Sequence, residues 1–75
     1  MIVTLNRKKL RARRREKKLT QERLAEESGL SDRYIRSLEC EAAQPSASVL
    51  YRLSLALEVP MDELIAVTID ENDES

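Results

Sequence analysis

Apolar residues recur three or four apart along most of this chain, the spacing that lines one face of a helix. Leu24 and Ala25 mark the inner face of a helix from about Gln21 to Ser28, and Ile35 and Leu38 that of another from about Asp32 to Cys40. Gly29 stands where the first must end in a left-handed turn, which glycine enters without steric cost. Thr20 and Ser31 sit one residue before these helices, as N-caps. Glu41 to Pro45 is a loop, and Ser46 caps a fourth helix, about Ala47 to Leu57. Its stripe of Val49, Leu50, Leu53, Ala56 and Leu57 reads as core. Pro60 opens a fifth, about Met61 to Ala66, with Asp62 and Glu63 at its positive end. A first helix, capped by Thr4 or Asn6, runs to about Lys18. It offers few apolar residues (Leu5, Leu10, Ala12, with Leu19 just beyond), so it lies on the surface with arginine stems over the core. IVTL at 2–5 and AVTI at 66–69 are β-prone and can pair as a ribbon, within one chain or between subunits. Residues 70–75 form an acidic tail, expected to be mobile. The pattern predicts one all-α, five-helix domain over 1–75, with its core at about 5–66.

Composition agrees: one Gly, no Phe, no Trp and many Leu, Ala, Arg and Glu. Seventy-five residues are near the lower limit for a self-supporting core, so a partner subunit is expected to help. The net charge of −1 hides a polarity. Residues 1–23 carry ten basic against two acidic residues, a net of +8; residues 24–75 carry three against twelve, a net of −9. Such a basic segment is either a solvated face or a surface for an anionic partner. Cys40 is the only cysteine and reads as packing filler in a reducing cytoplasm. Without histidine or paired cysteines the usual zinc patterns are missing, and no phosphate loop or nucleophile–base set appears, so neither an enzyme nor a cofactor is expected. No membrane-spanning or secretory stretch is present.

Two short helices locked by a tight turn at Gly29 form the helix-turn-helix unit, whose second helix enters a DNA major groove. The chain from about Leu10 to Ile65 resembles the lambda-repressor and Cro-like (XRE-type) helix-turn-helix family. The resemblance rests on Leu10, Arg14, Leu19-Thr20-Gln21, Leu24-Ala25, Gly29-Leu30-Ser31, Ile35 and Leu38-Glu39. It continues through Pro45-Ser46, Leu53, Ala56-Leu57, Val59 and Asp62-Glu63-Leu64. It implies base contact by Asp32, Arg33, Arg36 and Ser37, and backbone contact by Thr20, Gln21, Tyr34 and Gln44. Each has a plainer reading: solvated charge for the arginines, a favourable helix start for Asp32, a surface aromatic for Tyr34. Arg14 and Glu39 resemble a partly buried structural ion pair.

One departure is visible after the third helix. Cys40-Glu41-Ala42-Ala43-Gln44 carries none of the family's usual basic residues, and Glu41 replaces a glycine that takes a positive φ. Each missing phosphate contact weakens DNA binding and flattens its salt dependence. Two functions follow. One is a homodimeric, sequence-specific transcriptional regulator on an inverted repeat, with Met61, Leu64, Ile65, Val67 and Ile69 at the dimer surface; their plainer reading is core closure. The other is a protein-interaction module of the same fold, such as a toxin partner or a transcription-machinery adaptor.

Overall fold

The computed structural model describes residues 1–40 and 42–69. Its elements run β1 (Ile2–Leu5), α1 (Arg7–Glu16), α2 (Gln21–Ser28), α3 (Asp32–Glu39), α4 (Ala47–Leu57), a 3-10 turn (Met61–Leu64) and β2 (Ile65–Thr68). Glu41, at the position of the family's glycine, where the loop is expected to strain or fold differently, and the acidic tail at 70–75, expected to be mobile, lie outside the described residues.

Each α-helix starts on a side-chain cap that accepts from the backbone N–H three residues on, filling one of the donors a helix start leaves open. Asn6, not Thr4, caps α1; Thr20, Ser31 and Ser46 cap α2, α3 and α4. Gly29 ends α2 at φ 73°, ψ 25°, in the left-handed region. Lys18 and Glu58 also take positive φ, at 58° and 59°, each just past a helix end and without glycine's freedom. The turn at Lys18 stops α1 at Glu16, two residues before the expected end. Helix α3 stops at Glu39, with Cys40 as its C-cap.

The core gathers one or two residues from every element but β2: Leu5, Leu10, Leu24, Ala25, Ile35, Leu38, Leu53, Leu57 and Leu64. Leu19, Leu30, Tyr34, Val49, Leu50, Ala56 and Val59 pack around it. Burying one such leucine is worth about 1.5–3 kcal/mol.

The fifth helix is the main correction. Only Met61–Leu64 is helical, as a single 3-10 turn, and the chain then enters β2. The Leu64 carbonyl, which a continuing helix would commit to residue 68, instead accepts from Asn6 N–H at 2.8 Å. From there β1 and β2 pair antiparallel within the chain, Leu5 opposite Ile65 and Ile2 opposite Thr68. Among the described residues the fold is therefore mostly helical, with four α-helices and a two-stranded ribbon, rather than all-α with five helices. Leu64 is wholly buried in this core, so it has no surface to offer a second subunit. Cys40 is exposed rather than packing filler, because it caps α3 on the side away from Ile35 and Leu38. No helix among the described residues is long and apolar enough to cross a membrane.

Candidate nucleic-acid interface

Helix α3 divides cleanly. Ile35, Leu38 and Glu39 are buried, while Arg33 and Arg36 are exposed. The division follows from helical spacing: 35, 38 and 39 share one face, and 33 and 36 point the other way. Asp32 and Ser37 are half-buried at the edges of the outward face. Asp32 Oδ2 accepts from Arg36 Nη2 at 3.4 Å, an exposed pair one turn apart. The Arg33 side chain has no hydrogen-bond or ion-pair partner among the described residues. It is thus the more available of the two cations.

Behind this face, Glu39 is the hub of a network. Arg14 Nε donates to Glu39 Oε2 at 2.8 Å, and Arg14 Nη2 donates to Oε1 at 3.1 Å. Gln21 Nε2 donates to the same Oε1 at 3.0 Å, and Arg14 Nη1 donates to the Leu19 carbonyl at 2.9 Å. Glu39 is 6% exposed, so its charge is affordable only because both oxygens are satisfied. The network ties α1, the turn before α2, the first residue of α2 and the last of α3. It holds α3 at the C-terminal end of its inner face.

The other expected contacts are spread around α3. Thr20 is exposed, with its hydroxyl accepting from Arg23 N–H. Gln44 is exposed in the loop before α4. Tyr34 is half-buried and leans on the core. Of the expected dimer residues, Met61 and Ile65 are half-buried and Val67 and Ile69 exposed. Val67 faces Val3 across the ribbon, and Val3 is exposed as well.

Three contacts had no signal beyond charge in the sequence. Arg7 Nη1 donates to the Leu38 carbonyl and Arg7 Nη2 to that of Ala43, placing a cation at the negative end of α3. Arg13 pairs with Glu63 at 2.9 Å and Glu16 at 2.6 Å; the Glu63 hydrogen bond and the Glu16 charge raise the Arg13 pKa. Lys17 pairs with Glu58, and its hydrogen bond lowers the Glu58 pKa below the ordinary carboxylate value. Partners 31 to 50 positions away leave no local trace. Among the described residues no group of acidic or cysteine side chains is arranged to hold a metal ion.

Comparison with known proteins bears on this geometry. The helix-turn-helix family matches residues 10–64. The uncharacterized HTH-type transcriptional regulator y4dJ of Sinorhizobium fredii is 46% identical over 55 residues, 73% of this chain and 71% of its own length. Among solved structures, the restriction-modification controller protein C.AhdI from Aeromonas hydrophila superposes with a TM-score of 0.74 at 33% identity, over 76% of this chain and 86% of its own. The DNA-binding domain of the P22 C2 repressor superposes at 0.73 with 32% identity, over 83% and 82%. A hypothetical transcription factor from Neisseria, at 0.70 and 22%, shares the fold, over 80% of this chain and 76% of its own.

Proposed function

The chain belongs to the helix-turn-helix family, whose relatives here are transcriptional regulators, and from that premise we propose that it regulates transcription as a homodimer on an inverted-repeat operator. Helix α3 enters the major groove. Arg33 and Arg36 read base edges, since arginine on guanine is the commonest specific pairing. Asp32 and Ser37 flank them, with Asp32 steering Arg36 through their pair. Gln21, Thr20, Tyr34 and Gln44 meet the phosphate backbone and set the register. The observation that carries this reading is the pairing of an outward Arg33 with a rigid inner brace: Glu39, Arg14 and Gln21 fix the helix from which it projects.

One recognition helix reads too few base pairs for genomic specificity. A two-fold dimer places two of them about 34 Å apart, one turn of duplex. The exposed Val3, Val67 and Ile69 and the half-buried Met61 and Ile65 supply apolar surface for that contact. Selection of bound sites from a random duplex pool tests the proposal. An inverted repeat is expected. Arg33→Ala then relaxes the same position in both halves and weakens the site by about 1–3 kcal/mol. A pool from which no duplex is enriched would overturn it and favour a protein partner.

A further inference from the structure

Helix α1 is basic all round, yet its two sides differ. Toward the core, Arg13, Arg14 and Lys17 are each neutralised by a carboxylate of another element. On the opposite side, Lys8, Arg11 and Arg15 share one face with Ala12 between them and have no acidic partner among the described residues. These four line a shallow concavity of about 270 Å³. Ala12 leaves the floor low, so the three long side chains stand around it. The Nε of Arg11 is covered and lacks a hydrogen-bond partner among the described residues. A covered donor without an acceptor is costly, and an anion in the concavity is a candidate acceptor for it.

Resting on the DNA-binding reading above, we propose that the Lys8–Arg11–Arg15 face of α1 carries a second stretch of DNA backbone, flanking the bases read by α3. Position favours this partner. Arg7, one turn before Arg11, reaches the carbonyls of Leu38 and Ala43, so the stripe begins where α1 meets the end of α3 and the loop beyond it. That loop carries no basic residue of its own. Neutralisation of the strand leaving the groove then falls to α1, whose Arg7 already reaches that loop and whose next outward cations are Lys8, Arg11 and Arg15.

The test compares the full chain with the Lys8→Gln/Arg11→Gln/Arg15→Gln variant on a selected site, alone and extended by flanking duplex. The measured quantity is the slope of log Kd against log salt. On the long duplex the variant should lose about 2.7 from that slope, at 0.9 per phosphate. Between 50 and 200 mM salt this corresponds to about a 40-fold smaller change in affinity. The short duplex should show little difference, and the preferred sequence should stay the same. Thermal melting checks folding. Should loss of the Arg11 stem destabilise the triple variant, Lys8→Gln/Arg15→Gln replaces it, with an expected loss of about 1.8. Equal slopes for parent and variant on the long duplex overturn the stripe alone. A parent that binds no duplex at low salt removes the DNA reading and this proposal with it. Poly-glutamate binding that the variant abolishes, with DNA binding untouched, assigns the face to an acidic polypeptide and also overturns it.

Discussion

Replacing Glu39 by alanine tests whether the inner brace of α3 is structural. The substitution removes three hydrogen bonds, two from Arg14 and one from Gln21, and strands the Arg14 guanidinium. Breaking a fully buried pair by deleting one partner costs about 3–5 kcal/mol, most of it the penalty of the orphaned charge. Here the lower end applies. The Arg14 side chain is 11% exposed and keeps its bond to the Leu19 carbonyl. About 3 kcal/mol is a large part of the roughly 4–11 kcal/mol available to a domain this size. At about 4–8 °C per kcal/mol the melting temperature should fall by about 12–24 °C. Glu39→Gln, which keeps the shape and one acceptor, should cost about half as much. Arg14→Leu with Glu39→Leu should recover much of the loss, because no charge is left without a partner. Circular dichroism melts and urea midpoints measure all three. Below the variant's transition, its preferred DNA site should match the parent's. A fall of less than about 4 °C for Glu39→Ala, or no recovery in the double variant, would refute the brace.

Other perturbations probe the turns and the ion pairs. Lys18→Gly should stabilise the domain by about 0.5–1 kcal/mol, since it removes a left-handed strain at φ 58° from a residue whose side chain has no partner among those described; a lower urea midpoint would contradict this. Gly29→Ala should cost only about 1–2 kcal/mol, because the added methyl meets nothing nearer than Arg52 Nη1 at 3.9 Å; a larger loss would mean the turn is packed more tightly. Carboxyl NMR titration should place Glu58 below the ordinary value of 4.5, and Lys17→Met should return it there. With the folded pKa depressed, the stability from this pair is present above the unfolded carboxylate pKa and lost as pH falls through the folded value, so the Lys17→Met variant should show less acid destabilisation in that range.

Much of the site was legible because its signals are local. A threonine before Gln21, a serine before Asp32 and a glycine after Ser28 each act within one turn of helix, and α2 falls where those caps put it. The inward Ile35 and Leu38 and outward Arg33 and Arg36 follow from 3.6-residue spacing alone. The fifth helix failed for the opposite reason. Met61 to Ala66 has helical content, but Ile65–Thr68 is drawn into a ladder with Ile2–Leu5, more than fifty positions back. A four-residue strand has too little pattern of its own to announce that partner.

The sequence by itself determined where α2, α3 and α4 begin, which face each buries and which arginines of α3 look outward, because caps, glycine and periodicity act over one or two turns. Only the tertiary structure decided how the basic residues of the N-terminal third are used. Arg7, Arg13, Arg14 and Lys17 are held by groups 25 to 50 positions away, while Lys8, Arg11 and Arg15 are left facing outward. Nothing in a run of like charges separates the two sets. The separation arises when the chain closes and brings its carboxylates and carbonyls to one side of α1.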